Sequence, residues 1–294
     1  MTIPWLAIFC APKPFAGAAA YHQRNAIHSW RRLGEGIEVI VLGDEPGIEE
    51  AAKELNARHI PDVERSEFGT PLVSSLFRAA MGATEAPLLC YANADIVLTP
   101  DFPQSVRRVP FPRFLMSGRR WDVPIDSLLD FDDLDWQKNL RRWTQQNGAL
   151  HSPSAMDYFV FPRWLMKCVP AFAVGRAYWD TWLVFYARSL RVPVVDATNV
   201  VMAVHQNHDY GHVPDGEMAV WKGSEARRNR VLAEEMLYPF TLDDATWELS
   251  ELGLRRRIRL RHTPRLLQAE IALKLRHRAS GRRLVRKLLR ARFV

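Results

Sequence analysis

Long uncharged apolar segments are absent from this sequence of 294 residues. No run of 18 uncharged apolar residues occurs, so no segment meets the requirement for a membrane-spanning helix. The apolar start, residues 1–20, has no basic residue ahead of its apolar run and is interrupted by Pro4 and Pro12. It therefore favours a buried first strand over a secretion signal. We expect a soluble, cytoplasmic protein.

Cysteine is also scarce. Cys10, Cys90 and Cys168 are far apart and share no CxxC spacing, so neither a zinc site nor a disulfide framework is indicated. Cys10 and Cys90 stand inside apolar runs, where a thiol behaves as a small hydrophobic side chain. This usage fits a reducing compartment.

No glycine-rich loop follows the first apolar run. Residues 11–25 contain only Gly17, whereas a sugar nucleotidyltransferase needs a glycine-rich phosphate loop with a basic residue at its end. No internal repeat or low-complexity segment is present either. The missing glycine-rich loop therefore disfavours a sugar nucleotidyltransferase.

Positive charge is concentrated at the C-terminal end. Residues 255–294 carry fifteen lysines and arginines against Glu270, a net +14, and the total of +7 leaves −7 for residues 1–254. The tail has one aromatic residue, Phe293, so base stacking is not supported and a nucleic-acid partner is unlikely on these grounds. An apolar stripe of leucines edged by arginines predicts one or two amphipathic helices at an anionic membrane surface. A helix docked on the acidic body is the alternative.

The first 100 residues alternate strand and helix patterns. Strands are predicted at 6–9, 37–43, 57–61 and 87–92, and helices at 25–33, 48–56 and 71–83, the last with Thr70 as its N-cap. Such alternation predicts a mostly parallel sheet flanked by helices. The second half is less regular, with strands at 113–118, 157–161 and 192–197 and a helix at 177–191. A composition shift near 250 suggests a domain over 1–250 and a basic helical tail over 251–294.

Asp95 follows a buried strand in the segment Asn93-Ala94-Asp95. Ligands bind at the carboxyl edge of parallel sheets, and a carboxylate there can hold a divalent cation that neutralises a diphosphate. The alternative is a turn in which Asn93 and Asp95 cap the backbone.

His205, His208 and His212 fall within eight residues, which Gly211 and Pro214 predict to be a loop. They can ligate Mn²⁺ or hydrogen-bond the loop together.

Asp180 stands near the start of a predicted helix, between Trp179 and Trp182. Tryptophans can stack on a sugar, and a carboxylate beside them can act as a general base. The alternative is that Asp180 favours the positive end of the helix dipole.

Two further groups are candidates for acceptor binding. Arg119 or Arg120 can grip a phosphate beside a stacking Trp121, and Asp157 precedes a strand. Two surface arginines and a core tryptophan are the alternative.

Taken in order, these residues resemble the glycosyltransferase A-type fold over residues 4–212, as in the family 2 glycosyltransferase superfamily. The resemblance implies a Rossmann-like, mostly parallel sheet with a nucleotide-sugar half at 1–102 and an acceptor half at 103–250. Asn93-Ala94-Asp95 stands where that family has a DxD motif, with asparagine at the first position. The implied donor-binding residues are Asp44, Thr70, Asn93 and Asp95.

The same resemblance implies a divalent metal, Mn²⁺ or Mg²⁺, held by Asp95 with His205 or His208, and Asp180 as general base. Acceptor contacts would come from Asp157, Trp179, Trp182, Arg119 and Trp121. The implied reaction moves a sugar from a nucleoside diphosphate sugar to the hydroxyl of a glycan or lipid-linked acceptor, with inversion if Asp180 is the base. A catalytically inactive sugar-binding domain and a nucleic-acid-binding protein remain the alternatives.

Overall fold

The computed structural model describes residues 3–208, 216–233, 236 and 238–257. The basic tail from 258 onward lies outside the described residues, and so does His212. Within the described ranges, no helix is long and apolar enough to cross a bilayer.

Thirteen strands occur in the described part of the chain and form two sheets. The strands are β1 Leu6–Cys10, β2 Ile37–Leu42, β3 Arg58–Ile60, β4 Leu88–Ala92, β5 Ile96–Val97, β6 Leu115–Ser117, β7 Arg120–Val123, β8 Ala149–Leu150, β9 Tyr158–Pro162, β10 Val194–Asp196, β11 Ala203–Gln206, β12 Trp247–Ser250 and β13 Gly253–Arg256.

The large sheet has nine strands in the order β13-β12-β10-β6-β9-β4-β1-β2-β3. Neighbouring strands are parallel except where β9 runs against β4 and β6, and where β13 returns along β12. The parallel strands β1, β2 and β4 therefore end at one edge, and the loops that follow them carry Lys13, Asp44 and Asn93 at that edge.

Eight α-helices are described alongside these strands. They are α1 Gly17–Arg31, α2 Ile48–Glu54, α3 Val73–Ala83, α4 Asp101–Arg107, α5 Trp136–Asn147, α6 Trp179–Ser189, α7 Gly216–Lys222 and α8 Ser224–Leu232.

Helices cover both faces of the large sheet, which explains the unbroken apolar runs of its strands. Along β1, Ala7 and Phe9 face one core with α3 and α6, whereas Leu6, Ile8 and Cys10 face another with α1, α2 and α4. Burial of a side chain such as Phe9 contributes about 1.5–3 kcal/mol. This architecture is the α/β class with a mostly parallel, helix-flanked sheet that the sequence predicts.

The small sheet has the order β5-β11-β7-β8 and was not predicted. Its central strand, β11, lies antiparallel to β5 and parallel to β7. In this register His205 stands beside Ile96 on one side and Asp122 on the other. His205 is thus in a strand, and the predicted loop over 205–212 is wrong at its start.

Helix α1 begins at Gly17, eight residues before the predicted start at 25, and the structure also differs from the sequence prediction at two further places. Helix α3 begins at Val73 with Leu72 as its N-cap, because Leu72 is still extended. Thr70 is therefore not the cap, and its hydroxyl donates to Glu225 instead. The boundary placed at 250 falls inside the β12–β13 hairpin, so the large sheet continues to Arg256.

Candidate functional site

The chain turns sharply after β4, and Asp95 lies in that turn. The Asn93 backbone N–H donates to the Asp157 carbonyl at 2.8 Å, and the Asp95 carbonyl accepts from Gln206 Nε2 at 3.1 Å. These bonds fix the backbone on both sides of Ala94. The side chain of Asp95 is 17% exposed, and its Oδ1 is buried without a hydrogen-bond partner among the described atoms.

Two imidazoles face this carboxylate. His208 Nε2 lies 3.1 Å from Asp95 Oδ2, and His205 Nε2 lies 3.8 Å from the same oxygen. One ligand atom from each of the three residues lies within 4.8 Å of the others. Two ligands bonded to one ion at about 2.1 Å are about 3 Å apart when they meet at right angles, so small adjustments bring all three onto one ion.

The donor set fits a divalent transition metal. One carboxylate and two imidazoles suit Mn²⁺, Fe²⁺ or Zn²⁺ better than Ca²⁺. Asp95 Oδ1, which has no hydrogen-bond partner among the described atoms, would be a second oxygen available to the same ion. Burial acts to raise the pKa of Asp95, but the His208 hydrogen bond and the charges of His205 and Lys13 outweigh it and hold that pKa below its usual value. Asp95 is thus ready as an anionic ligand.

A polar network continues from this group toward a second carboxylate. Asn93 Nδ2 donates to Asp157 Oδ1 at 2.5 Å, and Arg120 donates to Asp157 Oδ2 at 2.9 Å and to Asp122 Oδ1 at 2.8 Å. Both oxygens of Asp157 are therefore satisfied. Neither Asp122 nor Arg120 was among the site residues implied by the resemblance, because the register of the small sheet is what brings them here.

Asp180 lies in the first turn of α6, after Tyr178, which adopts a left-handed backbone with φ 85°. A non-glycine residue in that region stores about 1–3 kcal/mol of strain, and such residues cluster at functional sites. The Thr181 N–H donates to Asp180 Oδ1 at 2.8 Å. The residue as a whole is half-buried.

Burial and the negative charge of Asp157 together raise the pKa of Asp180 to about 7, although its bond to Thr181 acts in the opposite direction. A position in the first turn of a helix would by itself favour the charged form. Burial therefore outweighs the helix dipole here. A carboxylate with a pKa near neutral is matched to general-base chemistry.

Lys13 is a cation at this edge of the sheet that was not among the predicted site residues. It follows β1 at the carboxyl edge, and the buried Gln23 side chain holds its backbone by two hydrogen bonds, of 2.6 Å to the N–H and 2.9 Å to the carbonyl. Burial and the charge of Arg176 lower the pKa of Lys13, and the charge of Asp95 acts to raise it. Lys13 therefore lies close to both Asp95 and Arg176. A basic residue in the loop after the first strand was the available signal.

Two other predicted site residues, Asp44 and Thr70, form hydrogen bonds with neighbouring side chains. Asp44 is exposed and hydrogen-bonds Arg65, which lowers the pKa of Asp44. Thr70 joins a buried cluster in which Glu225 accepts from Ser66, from Thr70 at 2.8 Å and from Arg176 at 3.0 Å. This cluster ties the segment before α3 to α8 and to the turn before α6.

Four residues predicted to contact an acceptor make contacts within the protein itself. Trp179 and Trp182 are each 5% exposed and pack on aromatic rings of the core, so neither presents a face to a sugar. Arg119 donates to the backbone carbonyls of Leu150 and His151, which occupies its guanidinium. Trp121 packs against a small apolar cluster beneath the small sheet. Arg120, rather than Arg119, donates to the carboxylates of Asp122 and Asp157.

No protein-family model matches the sequence, and a search of curated proteins found no match. Several solved glycosyltransferases have similar folds. A mannosyltransferase from Pyrobaculum calidifontis, in complex with GDP-Man and Mn²⁺, is 12% identical with a TM-score of 0.46; the match covers 71% of this chain and only 59% of that chain.

Glucosyl-3-phosphoglycerate synthase from Mycobacterium tuberculosis is 15% identical with a TM-score of 0.49, over 78% of this chain and 80% of that chain. A second structure of that enzyme, with Mg²⁺ and uridine diphosphate, is 14% identical with a TM-score of 0.46, over 78% and 79%. These proteins are glycosyltransferases, the class that the sequence resembles. The likeness concerns the fold alone, and the site's own residues carry the functional proposal.

Proposed function

We propose that this protein is a glycosyltransferase that moves a sugar from a nucleoside diphosphate sugar to an acceptor hydroxyl. The observation that carries the proposal is the meeting of a carboxylate and two imidazoles at the carboxyl edge of a parallel sheet. A second carboxylate, Asp180, has a pKa of about 7, which the negative charge of Asp157 helps to raise, and Asp157 in turn accepts a hydrogen bond from Asn93. Metal-assisted departure of a diphosphate and removal of a proton from a hydroxyl need these two kinds of group.

The metal would be held by Asp95, His205 and His208, and it would supply positive charge for the leaving diphosphate. Lys13 adds a second cation on the same edge, where it can contact the phosphate oxygens. Asp44 and Thr70, with Asn93, belong to the loops of the donor side. These residues bind and orient the donor.

Asp180 would accept the proton of the acceptor hydroxyl. Its pKa of about 7 leaves a large ionised fraction at neutral pH while keeping the carboxylate basic enough to take the proton. Asp157 stays beside it, held by Asn93 and Arg120, and its negative charge helps to keep Asp180 basic. Asp157, whose two oxygens already accept hydrogen bonds from Asn93 and Arg120, would act on the acceptor indirectly, through its effect on Asp180.

The finer proposal concerns the acceptor and the place of action. A strongly basic tail favours an acceptor at an anionic surface, such as a lipid-linked glycan used in cell-surface glycan synthesis. The protein would then work in the cytoplasm, peripherally on the inner face of the membrane. The charge distribution and apolar stripe of residues 264–294 support this proposal.

A panel of nucleotide sugars, tested for thermal stabilisation with and without Mn²⁺, examines the donor site. A ligand that binds only the folded state at about 100 times its Kd stabilises by about 2.7 kcal/mol. We expect one donor class to raise the melting temperature, and to do so mainly with Mn²⁺ present.

Asp95→Asn should abolish the Mn²⁺-dependent part of that shift. Asp132→Asn is the matched control, because Asp132 is 95% exposed and pairs only with Arg32 among the described residues. No stabilisation by any nucleotide sugar, or an unchanged response in a folded Asp95→Asn protein, would contradict the proposal. Sugar release from the stabilising donor, with and without candidate acceptors, then separates an active enzyme from a sugar-binding domain.

A further inference from the structure

Asp122 lies behind His205, on the side of the imidazole away from Asp95. Strands β7 and β11 are parallel, and their register sets Asp122 directly opposite His205. Asp122 Oδ1 lies 3.0 Å from His205 Nδ1, while Nε2 of the same ring is the atom 3.8 Å from Asp95. The ring therefore stands between two carboxylates, with one nitrogen toward each.

The Asp122 oxygen can act only as an acceptor. Arg120 Nε already donates to this Oδ1 at 2.8 Å, which fixes the oxygen and holds Asp122 as an anion. A neutral imidazole has one N–H and one lone pair, and a carboxylate has no proton to offer Nδ1. The contact thus favours the tautomer with the proton on Nδ1 and the lone pair on Nε2.

The other carboxylate near this ring, Asp95, is 3.8 Å from Nε2, beyond hydrogen-bond distance, and its Oδ2 lies closer to His208, at 3.1 Å. His205 is 7% exposed, and its Nδ1 is buried without an aligned hydrogen bond. The final torsion of a histidine side chain is broad, so a small turn of the ring aligns its N–H with the oxygen 3.0 Å away. A carboxylate that accepts from the far nitrogen of a metal-binding histidine both orients the ring and makes it more basic.

We propose that Asp122 is a positioning residue that fixes His205 with its proton on Nδ1, so that Nε2 offers its lone pair beside Asp95. This role rests on the proposed metal site. Asp122 itself does not touch the ion or the donor. It acts through the register of two strands, and Arg120 holds it in place.

Three variants separate orientation from charge. Asp122→Ala removes both the acceptor and the charge, whereas Asp122→Asn removes the charge but keeps an acceptor. Since Arg120 Nε can only donate, it keeps the carboxamide oxygen of that variant at the Oδ1 position, facing His205. Arg120 retains its bond to Asp157 in both, so no guanidinium is left unpaired. Asp132→Asn again serves as the surface control.

The tautomer is measured directly by nitrogen NMR of the full-length, metal-free protein labelled at histidine. At about pH 8 an ordinary imidazole is neutral, so each nitrogen reports whether it carries a proton. The His205 signals are identified by their loss in His205→Gln. We expect protonated Nδ1 in the wild type and in Asp122→Asn, and a shift toward protonated Nε2 in Asp122→Ala. A wild-type ring protonated on Nε2, or no change in Asp122→Ala, would overturn the proposal.

Calorimetry with Mn²⁺ alone supplies the second measurement. Loss of such a supporting contact typically lowers metal affinity by 10–100-fold, and we expect a loss on the order of 10–100-fold for Asp122→Ala and a smaller one for Asp122→Asn. Equal losses in the two folded variants would show that only charge matters and would reject positioning. If the wild type bound no Mn²⁺, the metal proposal would fail, while the tautomer result would still decide the role of Asp122.

Discussion

Removing the Asp180 carboxylate should make the protein more stable at high pH. Burial and the charge of Asp157 raise the pKa of Asp180 from its ordinary 3.8 to about 7, so the fold resists ionisation of this group. A raised folded-state pKa contributes stability that is complete below the unfolded pKa and is lost as pH rises through the folded pKa. The window of loss therefore runs from about pH 4 to about pH 7.

The expected size follows from the same two pKa values. At about 1.4 kcal/mol per pH unit, the span from 3.8 to about 7 corresponds to about 4 kcal/mol in all. Between about pH 5 and about pH 8 the wild type should lose about 3 kcal/mol through this group. Asp180→Asn cannot ionise and loses nothing at this position, so the difference between the two proteins should grow by that amount.

Urea denaturation of both proteins at the two pH values measures the effect. Titrating groups that do not interact with Asp180 contribute equally to wild type and Asp180→Asn, so they cancel in the difference. We expect the free energy of unfolding of the variant to gain about 3 kcal/mol on the wild type from about pH 5 to about pH 8. A difference that stays constant to within about 1 kcal/mol would refute the account of Asp180 as a buried carboxylate with a raised pKa.

The same variant tests the catalytic role. Positioned proton transfer contributes about 10²–10⁴-fold, so Asp180→Asn should lower turnover by about 10² or more while donor binding persists. Wild-type kcat/KM should rise with pH through about 7, because the base must be ionised to accept a proton. Near-normal turnover in a folded variant would remove Asp180 from this role even if the stability result held.

Two further predictions concern the other charged groups. Lys13→Met should weaken binding of UDP or GDP about tenfold in calorimetry, because it removes a cation close to Asp95. Lys53→Met, on the exposed face of α2, is the control and should leave nucleotide binding unchanged. Equal nucleotide affinities of the two variants would exclude a phosphate contact by Lys13. Deletion of 264–294 should abolish flotation with anionic liposomes. Liposome binding by the full-length protein should weaken as the salt concentration rises. If the full-length protein does not bind anionic liposomes at low salt, the tail serves another purpose.

Seven of the nine strands of the large sheet could be predicted, because its inner strands are buried on both faces; β12 and β13, which are partly exposed, were not predicted. Strands β1, β2 and β4 read as continuous apolar runs, and each ends within one or two residues of its expected limit. The small sheet could not be predicted, because β5 and β8 are two residues long and carry no periodic pattern. Two of its three pairings, β5 with β11 and β7 with β11, join segments more than 80 residues apart, and only the packed chain brings them together.

The same distinction explains the site residues. Asp95 and Asp180 were proposed as site residues from their places after a strand and at a helix start, which are local features. Trp179 and Trp182 were misread because a helix that lies against the sheet buries its aromatic residues. Asp122 was invisible as a partner of His205, since their contact depends on register between β7 and β11.

Asn93 shows how the neighbours of a position decide which residue it can hold. Its Nδ2 donates to Asp157 Oδ1 at 2.5 Å, and Asp157 is 8% exposed. An aspartate at 93 would set two carboxylates against each other, and like charges at such a distance cannot both ionise without a large pKa shift. The amide instead satisfies Asp157 and leaves Asp95, with its two imidazoles, as the anionic ligand. Asparagine at position 93 is therefore compatible with metal binding at Asp95, because it donates a hydrogen bond to Asp157 and adds no negative charge there.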